Sequence, residues 1–448
     1  MESLLYYLPF FVMNVSLMVV LIRWRGFLSF EGLGISCLLA LVSIDGISLF
    51  IVFLSQSDDN VSKIILERII PTVVHIVGLL SLIFGMLVID PKPVPISRHF
   101  NVTEKYIITK IAWILAIVGF SMKIFSLVSM GITDVQSYFL GMSDYVIAQR
   151  KFGGFLDEGL SISVFGLGIV AANKDTIMKQ SVLLFIMGLL VFFLSHSRGG
   201  VLSIFLIFFL LLFLFNKRLL KKWFNPILII FISLIIVLTS GIKSQFRANP
   251  ENIDTSFVGM GKWGINRFVD RFSEEGLYDG YANFVNRLYE DETKFKRGEV
   301  LEYTLTSWIP YIFYKEKPQH PMRAIGDLVY RDRSVSLEDV SAVTLIGTTF
   351  YDFGIISVII YTFIYGIFLG LLRILTAASK VNVFIIVWYL HIIFIDGFTN
   401  IIHGGILNFP GTIALATGSM GVVFIINFVL GKVNYYGHLF LRQRWVST

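Results

Sequence analysis

The apolar residues of this chain arrive in long blocks, and this arrangement limits the folds open to it more than any other feature. Residues 69–89 hold no charged side chain, and neither do residues 199–215. A helix needs about 20 apolar residues to cross a bilayer. Only 15% of the 448 residues are charged, against about 25% in an average soluble domain. Because a helix satisfies its own backbone hydrogen bonds in lipid, the sequence predicts an all-α integral membrane protein.

The polar interruptions between the apolar blocks predict a polytopic bundle of about eleven transmembrane helices. Eight spans fall within residues 1–242, a large loop occupies 243–342, and three spans with a tail fill 343–448. The predicted spans are 3–22, 32–55, 69–89, 107–130, 158–173, 180–196, 199–215, 225–242, 343–371, 382–400 and 411–431.

Lysine and arginine residues in the short loops predict the orientation. Alternate loops and the tail hold sixteen basic residues and three acidic ones, Asp90, Glu104 and Asp175. Loops rich in Lys and Arg stay in the cytoplasm. The N-terminus and the loop 243–342 are therefore expected outside, and the tail inside.

The 243–342 loop is far longer than a connection needs, and such loops are commonly functional or disordered. Its apolar residues recur at helical spacing in two stretches, which predicts amphipathic helices on the outer face of the bundle. The first stretch holds Trp263, Ile265, Phe268, Val269 and Phe272, and the second holds Leu277, Tyr281, Phe284, Val285 and Leu288.

Cationic side chains near the outer face are candidates for binding an anion. Arg198 stands in Ser-His-Ser-Arg-Gly-Gly (195–200), between the sixth and seventh spans. A guanidinium there offers fixed donors that suit phosphate oxygens, although a tight hairpin with a snorkelling arginine would look the same. Arg267 and Arg271 are one helical turn apart, so they share a face. Most other cations of the loop are expected to be solvated or salt-bridged surface charges.

Polar residues within spans are costly and indicate function by default. His75, Lys123 and Asp352 are examples. Each could instead be paired inside the bundle, which is the interpretation we favour.

Several chemistries are not indicated. The chain has one cysteine, Cys37, and no Walker A sequence, no dinucleotide-binding glycine turn and no Asp-x-Asp pair. No metal, nucleotide or other cofactor is therefore expected. The net charge is +6, but the basic residues lie in short loops between the apolar blocks, so nucleic acid is not expected as a partner.

The layout resembles the Wzy-type O-antigen polymerases, which belong to a wider group that includes the O-antigen ligases. The likeness rests on Ser-Arg-Gly-Gly opening a helix, on a large external loop late in the chain, and on three short patterns. The patterns are Trp308-Ile309-Pro310 with Lys317-Pro318, Thr344-Leu345-Ile346-Gly347 with Tyr351-Asp352-Phe353-Gly354, and Arg287 followed by Gly298 in an R-x10-G spacing.

The resemblance implies a GT-C-like glycosyltransferase in a bacterial inner membrane. Its substrates would be oligosaccharide repeat units on undecaprenyl diphosphate, and a chain-length regulator would be a partner protein. The implied diphosphate-binding residues matched by motif are Arg198, Arg287 and Lys317; Arg267, Arg271 and Arg323 are further candidates from the loop. A sugar hydroxyl also needs a general base, for which the candidates are His320, Glu338 and Asp339.

Two other functions stay open from the sequence. An O-antigen ligase would move the glycan onto a lipid acceptor, but the large loop lacks an obvious His-Asn pair. A flippase or another transporter would need a polar pathway at the membrane midplane, whereas the charge here collects at one face.

Overall fold

The computed structural model describes part of the chain, chiefly residues 61–89, 105–129, 159–172, 256–272, 277–291, 294–306 and 343–378. Single positions and short pieces are described between these ranges: 183, 186–188, 190, 234, 237–238, 241–242, 245, 254, 309, 313–316, 318, 321, 325 and 421.

Eight helices have defined bounds, and the described residues contain no strand. The helices are α1 (Val61–Ile89), α2 (Lys105–Ser129), α3 (Gly159–Ala172), α4 (Phe257–Phe272), α5 (Leu277–Glu290), α6 (Glu299–Thr306), α7 (Thr344–Phe353) and α8 (Ile355–Ala378). This part of the chain is therefore all-α, as predicted.

Two helices of the described part are long and apolar enough to cross a membrane. They contain Ile69–Ile89 of α1 and Ala112–Ser129 of α2, and Ile355–Phe368 of α8 is a shorter apolar segment. The outer faces of these helices carry large apolar side chains: Phe84, Phe125 and Ile356 are each more than 60% exposed. An exposed apolar face is costly in water and favourable against acyl chains.

Helices α1 and α8 pack closely and run in the same direction. Ser81 donates a 2.7 Å hydrogen bond to the carbonyl oxygen of Ile359, and further along both helices Gly85 lies against Phe363 while Gly366 lies against Leu82 and Met86. A Cβ at Gly85 or Gly366 would overlap the backbone of the other helix. Small residues at such contacts let two membrane helices approach through their backbones.

Helices α2 and α3 form a second close pair, which is antiparallel. Gly119 lies against Gly159 and Ser163, whereas Ala112 lies against Gly166. The Ser163 hydroxyl donates to the carbonyl oxygen of Ala116. These directions are the ones that a strict alternation of spans requires of α2 and α3.

Helix α4 confirms the first amphipathic stretch of the loop as a helix. Ser256 caps its N-terminus by accepting a 3.0 Å hydrogen bond from Gly259 N–H. Gly264 lies against Val237, and Met260 lies against Gly241, so α4 runs antiparallel to the described helical positions 237 and 241. Ile265 is 56% exposed, so its side chain is largely free of protein cover.

Helix α5 confirms the second amphipathic stretch, and its apolar face is buried. Tyr281, Phe284, Val285 and Leu288 are each 0% exposed. The face packs on α1 and α7: the Tyr281 hydroxyl donates a 2.9 Å hydrogen bond to the Pro71 carbonyl oxygen. Helix α5 therefore lies against the N-terminal part of α1.

The prediction of one ninth span at 343–371 is wrong in detail, because two helices occupy this range. Gly354 has φ +65° and separates α7 from α8, and Ser357 caps the break by accepting a 2.9 Å hydrogen bond from Phe353 N–H. A left-handed glycine ends a helix at no steric cost. Helix α7 is buried at every residue from Thr344 to Asp352, so α7 is an internal helix rather than part of a lipid-facing span.

Candidate functional site

The described residues bring together two of the short patterns that carry the resemblance. The glycine of the R-x10-G pattern, Gly298, contacts the aspartate of Tyr-Asp-Phe-Gly, Asp352. Asp352 is the second-to-last residue of helix α7, and Gly298 immediately precedes helix α6. The carboxylate of Asp352, the segment 296–301 and Tyr361 are called the Asp352 junction below.

The carboxylate of Asp352 is 0% exposed and accepts four hydrogen bonds. Oδ1 accepts from the N–H groups of Gly298 and Val300, both at 3.0 Å. Oδ2 accepts from Leu301 N–H at 3.1 Å and from the Tyr361 hydroxyl at 3.0 Å. A buried carboxylate is stable when donors surround it in this way.

The pattern of donors explains why an aspartate is needed at this position. The first turn of any helix has N–H groups without an intrahelical partner, and an N-cap side chain normally serves the second and third of them. Gly298 stands at the N-cap of α6, where its carbonyl oxygen accepts from Glu302 N–H at 2.9 Å, but it has no side chain. Asp352 therefore supplies the capping oxygens from another helix.

The backbone before α6 is fastened to the end of α7 as well. Lys296 N–H donates to the carbonyl oxygen of Tyr351 at 2.9 Å, and Arg297 N–H donates to that of Asp352 at 3.0 Å. Gly298 has φ +108° and Arg297 has φ +49°. Left-handed backbone is unfavourable for a residue with a Cβ, so the hydrogen bonds at this corner hold Arg297 in a conformation that it rarely adopts.

Aromatic side chains pack beside the buried carboxylate of the junction. Phe284 of α5 meets Tyr351 edge to face with ring centroids 5.3 Å apart. Phe295 meets Phe350 in the same manner at 5.6 Å. In a dry environment an unmade hydrogen bond is costly, so the Asp352 junction sets one relative position for α6, α7 and α8.

Charged side chains lie on the outer side of this corner. Lys294 pairs with Asp291 and Lys296 pairs with Glu299, each at 3.1 Å. Arg297 is exposed, and its guanidinium forms no ion pair with the described residues. The corner thus presents one cation that has no ion-pair partner within this part of the structure.

A second segment of the loop folds back onto α6. The Tyr314 hydroxyl donates a 3.3 Å hydrogen bond to Oε1 of Glu302. Partial desolvation and this hydrogen bond raise the pKa of Tyr314. Residues 313–316 therefore lie beside the α6 end of the Asp352 junction.

The predicted diphosphate-binding residues are only partly within the described residues. Arg287 lies half-buried in the last turn of α5, where a cation is favoured by the helix dipole. Arg267 and Arg271 lie one turn apart in α4, which confirms their helical spacing. Arg198, Lys317 and Arg323 lie outside the described residues, as do the predicted general bases His320, Glu338 and Asp339.

The polar residues predicted to be paired within the bundle are buried. His75 is 3% exposed, Lys123 1% and Asp352 0%. The His75 ring packs edge to face on Tyr281 at 6.1 Å. For Asp352 the pairing interpretation is confirmed, because its two oxygens are fully engaged. Among the described residues no group of three His, Cys, Asp or Glu side chains could hold a metal ion.

The sequence did not single out Arg297 or Tyr361. Arg297 was one of many loop cations, and Tyr361 was one aromatic residue in an apolar run. A local signal for the corner does exist: Arg-Gly precedes a stretch with Glu299 and Glu302 in its first turn, a composition typical of a helix start. Nothing in the sequence indicated that Asp352 would cap that helix.

Comparison with known families points to the same segment. Residues 283–415, under a third of the chain, match the family model described as "Putative O-antigen polymerase". No curated protein and no solved structure matches the chain. The matched range contains Arg287, the complete Asp352 junction and α8. The family supports a membrane protein of polysaccharide biosynthesis with a glycosyltransferase-type activity, and the family model confirms the resemblance to the Wzy-type polymerases over residues 283–415.

Proposed function

We propose that this protein polymerises surface-polysaccharide repeat units in a bacterial inner membrane. It would transfer the growing glycan from undecaprenyl diphosphate onto an incoming lipid-linked unit. The observation that carries the proposal is the family match over 283–415, within which two motif segments meet at one buried carboxylate. The match includes Arg287, a residue that the resemblance assigns to the diphosphate.

The chemistry that the proposal requires is stabilisation of a leaving diphosphate. Breaking the bond between the sugar and the diphosphate builds negative charge on phosphate oxygens, and preorganised cations stabilise that charge best where water is excluded. Arg198, Arg287, Arg267, Arg271, Lys317 and Arg323 are the proposed cations. With these residues the leaving group would be stabilised without a metal ion or ATP.

The acceptor sugar has to lose a proton as its oxygen attacks the donor carbon. A His or a carboxylate within hydrogen-bond reach of the hydroxyl can take that proton. We propose His320, Glu338 or Asp339 for this role. Asp352 is poorly suited to it, because four donors already occupy its oxygens.

Packing supports an external position for the site. Helices α1 and α8 run in the same direction, so their N-terminal ends lie on one side, and Tyr281 of α5 bonds to Pro71 near the first of these ends. In the proposed topology both ends face the outside, where the lipid-linked units are polymerised. Helices α4 and α5 would cover the site, and a chain-length regulator would be a separate partner.

The proposed function is tested by deleting the gene and analysing the surface polysaccharide. Single-repeat glycans in place of long chains are expected. Long chains that remain on the lipid carrier would instead indicate a ligase, and lipid-linked units held on the inner leaflet would indicate a flippase.

The proposed cations are tested in the deletion strain by complementation. Arg198→Ala and Arg287→Ala are expected to leave single-repeat glycans, because each removes a bidentate phosphate donor. Arg198→Lys is expected to fail too, since an ammonium cannot reproduce the planar fork. Normal chain length with both alanine variants, at normal protein levels, would contradict the diphosphate role.

A further inference from the structure

We propose that Arg297 is a further anion-binding residue that contacts the diphosphate of the lipid-linked substrate, and that Asp352 is the positioning residue that holds it there. The inference rests on the proposed function and adds two residues to the site. It is carried by three features of the corner before α6: its backbone conformation, its hydrogen bonds and its ion pairs.

The backbone conformation at position 297 favours residues other than arginine. Arg297 has φ +49°, a region in which Gly is unstrained and Asn is tolerated. Strained residues of this kind persist where the surrounding structure fixes them, and they cluster at binding sites. Folding alone would therefore be served better by glycine at this position.

The corner is fixed by hydrogen bonds from three consecutive N–H groups. Those of Lys296 and Arg297 reach the carbonyl oxygens of Tyr351 and Asp352, and that of Gly298 reaches Oδ1 of Asp352. The same carboxylate binds α6 and Tyr361. Asp352 thus fixes the place from which the Arg297 side chain leaves the backbone, and a fixed cation loses less entropy on binding than a mobile one.

The ion pairs of the corner leave the guanidinium of Arg297 available to bind an anion. Its neighbours Lys294 and Lys296 are each held by a carboxylate at 3.1 Å. The guanidinium of Arg297 has no such partner in the described part of the chain, and the residue is exposed. A guanidinium with its donors free matches two phosphate oxygens at once.

The ligand chemistry that this site fits is a diphosphate, whether on a lipid or free. Inorganic pyrophosphate is therefore a suitable probe, because it has the anion without the lipid tail or the sugar. The two sources are separated by measuring, on the same protein, the inhibition by pyrophosphate and the kcat/KM for the lipid-linked substrate.

The test compares Arg297→Gly, Arg297→Lys and Lys294→Ala in the purified full-length protein. Arg297→Gly is expected to raise the melting temperature, because it removes the strain, while it lowers kcat/KM about tenfold or more, the usual cost of a lost charge-assisted hydrogen bond. The inhibition constant of pyrophosphate should rise with it. Arg297→Lys should lower kcat/KM as Arg297→Gly does. Lys294→Ala should keep kcat/KM and the inhibition constant of pyrophosphate within about twofold of the unsubstituted protein, because the ion pair of Lys294 is partly exposed.

Asp352→Asn tests the positioning role. It is expected to weaken pyrophosphate inhibition less than Arg297→Gly does, and to add little when both changes are combined, since the two residues act through one contact.

The outcome that overturns the inference is a stabilised Arg297→Gly protein with unchanged KM, kcat and pyrophosphate inhibition. Weakened inhibition by free pyrophosphate with an unchanged kcat/KM for the lipid-linked substrate would also overturn it. Failure of the proposed function looks different, because then the gene deletion itself would leave polysaccharide chain length unaltered.

Discussion

At the scale of single residues, Asp352 shows how a polar residue in an apolar run can have a structural role. The sequence alone left two interpretations, a functional carboxylate or a paired one. The structure supports the second, because the carboxylate caps α6 and accepts from Tyr361. Its connection to the proposed site is indirect, through the corner that contains Arg297.

We expect Asp352→Ala to destabilise the protein by about 3 kcal/mol or more, because it leaves several buried donors without an acceptor. The measurement is thermal unfolding of the full-length protein in detergent. Asp291→Ala is the matched control: this carboxylate is partly exposed and pairs with Lys294, and an exposed ion pair contributes about 0–1 kcal/mol. Equal melting temperatures for the two variants would mean that the capping role of Asp352 is wrong.

At the scale of secondary-structure elements, periodicity predicted most of what is described. The long apolar runs gave α1 and α2, and the 3.6-residue spacing gave α4 and α5, because both signals come from residues close in sequence. The buried face of α5, with Tyr281 and Phe284, followed the predicted spacing closely.

The elements that the sequence did not reveal depend on contacts between distant residues. Helix α6 is short, and its cap comes from Asp352, more than fifty residues away. The break at Gly354 lies in an apolar run that reads as one span. The length of that run was the available signal, since residues 343–371 exceed the about 20 that a crossing needs.

Close contact between α1 and α8 leads to a prediction at this scale. We expect Gly85→Ala to destabilise the protein by about 1–3 kcal/mol, the usual cost of overpacking, because the added Cβ would overlap the Phe363 carbonyl oxygen and force the backbone to shift. Gly188→Ala is the control, since a Cβ there meets nothing within 4 Å. Monodispersity and melting temperature in detergent measure the effect; a Gly85→Ala protein as stable as the control would argue against this helix pair.

At the scale of the whole molecule, helix direction and charge lead to one orientation. Helices α1 and α8 are parallel, and basic residues stand at or after the C-terminal part of each: Lys92 and Arg98 follow α1, Arg373 lies in the last two turns of α8, and Lys380 follows α8. Positive loops stay in the cytoplasm. The opposite ends, which include the Asp352 junction, should therefore face outward.

Cysteine labelling tests this orientation directly, because Cys37 is the chain's one cysteine. In a Cys37→Ser background, Lys315→Cys places a thiol at an exposed position of the large loop, and Lys92→Cys places one in the predicted loop after α1. A charged maleimide cannot cross the bilayer, so in intact spheroplasts we expect it to label Lys315→Cys and not Lys92→Cys. Permeabilisation should make Lys92→Cys reactive while leaving the Lys315→Cys signal unchanged. The reverse pattern would place the proposed diphosphate-binding arginines in the cytoplasm, away from substrates on the outer leaflet, and the proposed polymerase activity would have no access to its donor.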